Sequence, residues 1–345
     1  MKAVYLTVQG GPEVLTYGDR PEPKVQPDEI LIKVRATALN HLDVFTRAGQ
    51  RGTKREFKDP FILGCDIAGE VADLGPEVKG FNKGDHVIVN PGITCGRCKY
   101  CVSARDNMCY SYTMIGAAVN GGYAQFAKAP QENVHKIIND IPWEEAAAIP
   151  LTFITAWHML ISLAQLKPGE DVLIQAAGSG VGSAALQISK LVGARAIVTA
   201  GSDEKLAKAK KLGADETINY STEDFGKRAK ELTGGDGVDV VFDHIGTSVW
   251  DGNFAALKRG GRLVNCGVTS GHQAQLHIGQ MFTKQVKLMG SFMGTKADMN
   301  ELVRLVNQRK LHGVVSQVFD LKDAAAAHKA MEDRNVFGKL VLRVP

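Results

Sequence analysis

The sequence predicts an α/β protein with two domains, a twisted β domain and a doubly wound parallel sheet. Three observations support this prediction. The chain has 345 residues, which is too long for one simple core and suits two domains. Residues 1–150 hold many strand-like runs that glycine and proline interrupt, with little that reads as helix. Residues 152–290 alternate short apolar strands with helical segments, the pattern of a parallel sheet covered by helices.

The composition is that of a packed globular protein. Hydrophobic residues make up 44% and charged residues 23%, so disorder is not expected. The net charge of +4 arises from 41 basic and 37 acidic residues, an excess too small to indicate a nucleic-acid partner. No apolar run reaches the roughly 18 residues of a membrane span, and the N-terminus lacks an apolar signal region. We therefore expect a cytoplasmic protein with neither a nucleic-acid partner nor a membrane span.

The β domain is predicted from its first half and completed by the tail. Strand-like runs cover residues 29–39, 67–75 and 85–92. The tail has two helical stretches and a final strand at 339–344, which we expect to return to the first domain. The predicted division is therefore one domain of residues 1–151 and 291–345, and a second of residues 152–290.

A glycine turn marks the start of the parallel sheet. Residues 172–177 are strand-like, three glycines follow, and an apolar helical pattern continues to Val192. Glycine lets the backbone approach a pyrophosphate, and the helix N-terminus favours its negative charge. Because the motif lies in the required strand–turn–helix context, we predict a dinucleotide contact at five residues: Gly178, Ser179, Gly180, Val181 and Gly182.

The following segments repeat the same alternation. A strand is predicted at 194–200 and a helix at 203–212, and further strands at 216–220, 238–246 and 261–267. Consecutive β and α units of this kind predict right-handed crossovers and one parallel sheet.

The end of the second strand bears on the choice between NAD and NADP. NAD sites usually carry an acid there, bonded to the ribose hydroxyls. Here the strand ends in Ala200 and Gly201, and Ser202 and Lys205 follow. A hydroxyl and an ammonium suit a 2′-phosphate, so we predict NADP(H). The acids at 203–204 fit the first turn of the next helix, and Lys205 as a solvated helix residue remains the alternative.

Four cysteines predict a metal cluster. Their spacing is C-x2-C-x2-C-x7-C, and the residues are Cys95, Cys98, Cys101 and Cys109. Four thiolates fill the tetrahedral shell of zinc and leave no open position for a substrate. We predict one structural Zn2+ per chain in a lobe at 91–112. An iron–sulfur cluster and four unmetallated thiols are the alternatives.

These motifs together resemble the medium-chain dehydrogenase/reductase superfamily over the whole chain. The cysteine lobe is similar to that of zinc-containing alcohol dehydrogenases, whereas ALNHLDVFTRAG resembles the zinc-free quinone oxidoreductase branch. The other stretches that carry the resemblance are KAVYLTVQGGPEVL, LGCDIAGEV, EEAAAIPLTFITAW, AAGSGVG and FGKLVLRV. The resemblance implies a GroES-like β domain and a Rossmann domain.

The resemblance also implies a second, catalytic zinc, whose ligands this sequence has lost. Zinc alcohol dehydrogenases hold it with a Cys, a His and another Cys. The matching positions are Asn40, Cys65 and approximately Leu151, and the usual proton relay falls on Leu42 and Phe45. One soft ligand and one amide do not form a zinc site. We therefore expect hydride transfer without a metal, although Asp66 or His41 as substitute ligands is the alternative.

Further site residues follow from the resemblance. Asn40, Cys65 and Asp66 would line the reaction pocket as hydrogen-bond or proton donors. A backbone-bonded amide, an inert buried thiol and a salt-bridge partner are their respective structural alternatives. His41 and Lys339 match positions that place positive charge on the pyrophosphate. The remaining implied cofactor contacts are Tyr220 near the adenosine phosphate and Thr155, Gly267 and Phe292 at the nicotinamide.

Three functions remain open at the level of sequence. The first is an NADPH-dependent, metal-independent reductase of a quinone, an enone or another activated carbonyl compound. The second is an alcohol dehydrogenase or aldehyde reductase, and the third is a non-enzymatic NADPH sensor or structural protein. The resemblance further implies a homodimer or homotetramer, with residues 287–294 near the edge where two sheets pair.

Overall fold

The computed structural model describes all 345 residues. The chain forms two compact units, one of Met1–Leu151 with Thr295–Pro345 and one of Thr152–Gly294. The second passage between the units thus follows Gly294, whereas the sequence placed it at residue 290. No helix is both long and apolar enough to span a bilayer.

Eighteen strands are present. In chain order they are β1 (Lys2–Leu6), β2 (Thr16–Asp19), β3 (Glu29–Ala38), β4 (Phe61–Ile62), β5 (Asp66–Leu74), β6 (His86–Val89), β7 (Gly92–Ile93), β8 (Thr113–Met114), β9 (Phe126–Pro130), β10 (Val134–Lys136), β11 (Asp171–Ile174), β12 (Arg195–Ala200), β13 (Glu216–Asn219), β14 (Val238–Asp243), β15 (Leu257–Asn265), β16 (Lys287–Gly290), β17 (Val315–Asp320) and β18 (Lys339–Arg343).

Eleven α-helices accompany them. They are α1 (His41–Ala48), α2 (Lys99–Val102), α3 (Trp143–Ala147), α4 (Pro150–Trp157), α5 (Gly180–Val192), α6 (Asp203–Lys211), α7 (Phe225–Leu232), α8 (Trp250–Ala256), α9 (Ile278–Lys284), α10 (Lys296–Asn307) and α11 (Ala324–Glu332). A π-helical segment, His158–Leu163, directly follows α4.

The first unit is built on a seven-stranded sheet. Its order is β10-β6-β5-β3-β18-β17, and β9 pairs with β3 off this path. Strand β3 pairs antiparallel with β5 on one side and with β18 on the other. Ala38 therefore lies opposite both Asp66 and Val341. This register brings the end of β3 and the starts of β5 and β18 to one place.

The second unit contains a six-stranded sheet in the order β13-β12-β11-β14-β15-β16. Every neighbouring pair in it is parallel, which confirms the predicted doubly wound sheet. The three central strands, β12, β11 and β14, are almost entirely buried and rich in valine and isoleucine, as expected when helices cover a parallel sheet. Parallel strands share one carboxyl edge, where ligands of such sheets bind.

Helix α1 and strand β17 are among the elements of the first unit that were not predicted. Helix α1 lies in a region that reads as strands and loops. It is specified locally, because the Asp43 carboxylate accepts the backbone N–H of Asn40 at 2.8 Å and Gly49 ends the helix at φ 67°. Strand β17 in the tail pairs parallel with β18. Most of its residues are exposed, so its sequence lacks the apolar pattern that would predict a strand.

Candidate active site and zinc cluster

A buried polar cluster lies where β3, β5 and β18 meet. The Lys339 ammonium donates to Asn40 Oδ1 at 2.5 Å and to Asp66 Oδ2 at 2.8 Å. Asn40 Nδ2 also donates to Asp66 Oδ2 at 2.9 Å. The side chains of Asp66 and Lys339 are 0% and 4% exposed, so this ion pair is almost fully removed from water.

The same carboxylate is bonded on its other side. The backbone N–H of Leu151 donates to Asp66 Oδ1 at 2.7 Å. Both carboxylate oxygens of Asp66 therefore accept hydrogen bonds from protein donors. The cluster pairs one negative and one positive group and uses the amide of Asn40 to hold them together.

Lys339 therefore has different partners from those the sequence suggested. The resemblance placed it on the cofactor pyrophosphate, whereas its ammonium is buried and bonded to Asp66 and Asn40. His41, the other residue assigned to the pyrophosphate, is the first residue of α1 and is exposed. Because a lysine ammonium has three N–H groups and two are used here, one donor of Lys339 remains available.

Two further buried acids adjoin the cluster. Burial raises the pKa of Asp43 to about 7, although its carboxylate accepts the backbone N–H of Asn40 and of Gly64. Burial, reinforced by the nearby carboxylates of Asp43 and Asp66, raises the pKa of the Cys65 thiol well above its ordinary value. Cys65 is 0% exposed and remains a neutral thiol, which makes it a weak proton donor at neutral pH.

The four lobe cysteines converge on one point. Their sulfur atoms all lie within 4.8 Å of one another, with Cys95–Cys101 at 3.9 Å and Cys98–Cys101 and Cys95–Cys109 at 3.5 Å. A tetrahedron with Zn–S bonds of about 2.3 Å places its sulfurs about 3.8 Å apart. Backbone N–H groups, first that of Cys101, lower the pKa of Cys98 to about 6. The donor set fits a structural zinc.

The glycine turn has the packing that a dinucleotide site requires. Ser179 caps helix α5, its Oγ accepting the N–H of Gly182 at 2.8 Å. A Cβ on Gly182 would lie 2.5 Å from the Ala176 carbonyl oxygen, so only glycine allows the helix to pack this closely on its strand. Gly178, Gly180 and Val181 complete the turn and the first residues of α5.

The predicted adenosine-phosphate residues lie close together. Ser202 caps α6 by accepting the N–H of Lys205 at 3.4 Å. The Tyr220 ring covers Gly201, since a Cβ there would be 2.8 Å from the tyrosine hydroxyl. The two acids of the first turn of α6 have partners: Asp203 accepts from Asn219 at 2.8 Å and Glu204 pairs with Lys208 at 2.7 Å.

The predicted nicotinamide residues are distributed over three elements of the second unit. Thr155 lies buried in α4, Gly267 follows β15, and Phe292 follows β16 and is 57% exposed. A Cβ on Gly267 would lie 2.5 Å from the His244 carbonyl oxygen. The close approach of these two strand ends explains the glycine.

Sequence reasoning missed a group of polar residues at the same sheet edge. Asn265 Nδ2 donates to Asp243 Oδ2 and to the Gly267 carbonyl, each at 2.9 Å. His244 Nε2 lies 2.9 Å from Ser179 Oγ. A signal was available, because Asp243 and His244 directly follow an apolar strand, and carboxyl ends of parallel strands meet at one edge.

Comparison with known proteins identifies both halves of the chain. A family model described as an alcohol dehydrogenase GroES-like domain matches residues 26–139. A second, described as a zinc-binding dehydrogenase, matches residues 180–308. Each of the two units therefore contains a stretch of sequence that matches a dehydrogenase family model.

Full-length relatives carry several oxidoreductase names. The chain is 32% identical to an NAD-dependent alcohol dehydrogenase of Sulfolobus acidocaldarius, covering 100% of both chains. It is 30% identical to an acryloyl-coenzyme A reductase of Sulfurisphaera tokodaii, over 99% of this chain and 100% of that one. It is 31% identical to a quinone oxidoreductase of Pseudomonas aeruginosa, over 99% of each. A crystal structure of an NAD-dependent alcohol dehydrogenase is similar with a TM-score of 0.96 and 45% identity, covering 100% of both chains.

Proposed function

The chain belongs to the medium-chain dehydrogenase/reductase superfamily, and from this premise we propose that it is an NADPH-dependent reductase of conjugated acceptors that works without a catalytic metal. The acceptor is a quinone, an enone or an enoyl thioester. Relatives named as quinone oxidoreductase and acryloyl-coenzyme A reductase support this class.

The observation that carries the proposal is the position of the Lys339 ammonium. It is bonded to Asn40 and Asp66, and Asn40 stands where the resemblance assigns a metal ligand. A second cation at this point would meet the repulsion of the ammonium. It would also find Asp66 fully hydrogen bonded and Cys65 as a neutral thiol. These residues favour a fixed organic cation in place of zinc.

The reaction follows from what these residues can do. NADPH held at the glycine turn of residues 178–182 would supply a hydride for the β-carbon of the conjugated acceptor. Conjugation spreads the resulting negative charge onto the carbonyl oxygen, and the remaining N–H of Lys339 offers it a charged donor. Because burial raises the pKa of Cys65 and makes it a weak proton donor, we assign the proton that completes the reduction to solvent.

The preference for NADPH rests on the N-terminus of α6. Strand β12 ends without an acid, and the exposed Tyr220 covers the next residue, Gly201. Ser202 and Lys205 follow at the start of α6. The first-turn acids are already engaged by Asn219 and Lys208, which leaves the site open to a phosphate. Relatives named as NAD-dependent make this choice the part of the proposal to test separately.

The test is a zinc count with parallel assays on the purified protein. We expect about one zinc per chain, assigned to the four-cysteine cluster, and NADPH oxidation by 1,4-benzoquinone that persists while the protein remains folded. Two zincs per chain, with activity lost when only one is removed by mild chelation, would contradict the metal-free mechanism.

Alcohol dehydrogenation is the second candidate, because the relatives at 32% and 45% identity carry that name. It predicts faster turnover of simple aldehydes than of quinones or enoyl thioesters in the same assay. An aldehyde preference with one zinc would keep the metal-free site and change only the acceptor.

A further inference from the structure

The loop of residues 49–60, between α1 and β4, contains a buried arginine edge without a partner. Arg55 Nε and Nη2 are both buried and have no hydrogen-bond acceptor. The backbone N–H of Arg55 is bonded to Gln9 Oε1 at 3.0 Å, so the chain is held in place while Nε and Nη2 are left without an acceptor. A buried, unpaired donor of this kind costs free energy unless something binds to it.

The two unpaired atoms form the edge of the guanidinium that binds oxyanions in pairs. Nε–H and one Nη2–H point in the same direction and match two oxygens of a carboxylate or phosphate. Arg35 in this protein shows the arrangement: its Nε and Nη2 donate to the two oxygens of Glu70 at 3.1 and 3.2 Å. Arg55 presents the same edge with no protein carboxylate.

Two aromatic rings hold this guanidinium in position. Its central carbon lies 4.8 Å from the centre of the Phe57 ring and 4.0 Å from that of Phe61, and the two rings stack at 5.4 Å. Stacking stabilises the cation without using its N–H groups. Burial lowers the pKa of Arg55, yet a guanidinium stays charged at neutral pH. A charged, oriented and unpaired edge is therefore available for an anion.

We infer that the Nε–Nη2 edge of Arg55 binds a phosphate or carboxylate at the far end of the acceptor. The inference rests on the proposed function and narrows its acceptor to a long, anionic one. The loop packs at the C-terminal end of α1, where Thr53 Oγ1 donates to the Phe45 carbonyl at 2.6 Å.

Distance selects among the acceptors. Asn40 caps the opposite end of α1, and eight helical residues span about 12 Å. An acceptor that reached along the helix from Asn40 to the loop would need about this length, which an enoyl thioester with a phosphate-bearing arm has and a short unsaturated acid lacks. Because the edge is buried, the surrounding loop side chains must shift to admit the anion.

The test compares two acceptors with the same reactive end. Acryloyl-coenzyme A carries phosphates, and the acryloyl thioester of N-acetylcysteamine does not. We expect Arg55→Met to raise the KM for acryloyl-coenzyme A about tenfold or more, with the KM for the short thioester and for NADPH unchanged. Arg55→Lys keeps the positive charge but loses the paired N–H edge, so its KM for acryloyl-coenzyme A should lie between those of the wild type and Arg55→Met. Lys58→Met, an exposed lysine of the same loop, removes an equal charge and should have little effect.

Each other outcome has a defined meaning. Equal changes for both thioesters, or none, would overturn the inference, as would earlier thermal unfolding of Arg55→Met, which indicates a purely structural cation. If the wild type reduces neither thioester, the proposed acceptor class fails, and calorimetric binding of coenzyme A tests Arg55 by itself: equal affinity of wild type and Arg55→Met would overturn its role. Competition by inorganic pyrophosphate as strong as that by coenzyme A would overturn an acceptor site in favour of a free-anion site.

Discussion

Single residues decide the chemistry of the cluster formed by Asn40, Asp66 and Lys339. An ion pair this deeply buried loses the hydration of both charges, and the hydrogen bonds around it must offset that loss. Here Asp66 has three N–H donors, from Lys339, Asn40 and Leu151. The arrangement is therefore sensitive to the removal of one partner and tolerant of the removal of both charges.

This sensitivity gives a stability prediction. Lys339→Met leaves the Asp66 carboxylate buried without its counter-charge and should lower the free energy of unfolding by about 3–5 kcal/mol. Lys339→Met combined with Asp66→Asn removes both charges and should recover most of that loss. Urea unfolding at pH 7 measures both variants. Equal destabilisation of the single and double variants would contradict the pairing.

Asp43 gives a pH prediction at the same scale. Its pKa is raised from 3.8 to about 7 by burial, so the folded state holds a proton that the unfolded state releases. Its contribution to stability is therefore complete below about pH 4 and is lost as the pH rises through 7. The groups facing it are the N–H donors of Asn40 and Gly64 and the charges of Lys339 and Asp66.

The matched control is Asp43→Asn, which cannot ionise. The wild type should lose stability relative to this variant between about pH 4 and pH 7 and match it most closely below pH 4. Thermal unfolding across that range measures the difference. Parallel curves for the two proteins would show that Asp43 does not titrate in this window.

At the scale of elements, the start of helix α6 contains both residues that stabilise the helix end and residues that could contact the cofactor. Ser202 is the N-cap, and the acids at 203–204 occupy the first turn, where they favour the helix dipole. Lys205 is the first basic residue of the helix. Strand β12 ends without an acid, and helix α6 begins with the hydroxyl of Ser202. This combination suits the 2′-phosphate of NADPH.

The corresponding prediction concerns cofactor choice. Lys205→Met should raise the KM for NADPH about tenfold by removing one charged contact to the 2′-phosphate, while the KM for NADH stays unchanged. Lys208→Met is the control, because Lys208 lies on the same helix and pairs with Glu204. Equal effects on both cofactors, measured by steady-state kinetics, would contradict a role at the 2′-phosphate.

At the scale of the whole molecule, the second unit carries an uncovered apolar surface. Ile278 and Phe282, four residues apart on α9, are 65% and 67% exposed, and strand β16 ends the sheet with one unpaired edge. Unpaired edges and exposed aromatic residues are features that assembly covers. Both agree with the expected homo-oligomer.

Assembly can be tested by charge. Replacing Ile278 and Phe282 together by lysine should reduce the mass in solution to that of one chain, because like charges would face each other across a symmetric contact. Light scattering measures the mass, and circular dichroism checks that the fold is kept. An unchanged mass would exclude this surface from the interface.

The parts of the fold that depend on neighbours in sequence were predictable. The cysteine spacing predicted a cluster, and the four sulfur atoms do lie within 4.8 Å of one another. This was predictable because cysteines separated by two residues can converge from a single tight turn. The glycine turn, helix α5 and the parallel strands follow from local periodicity in the same way. Helix α1 was missed because its capping signals were outweighed by the strand-like residues around it.

The sequence by itself therefore determined the two-part fold, the cysteine cluster and the dinucleotide class of ligand for the glycine turn through short-range patterns. Only the tertiary structure decided that Lys339, 299 residues from Asn40, lies against it and Asp66. Only the structure, likewise, left the Arg55 edge unpaired. Such contacts depend on strand register and side-chain packing between distant segments, and one-dimensional spacing contains no measure of either.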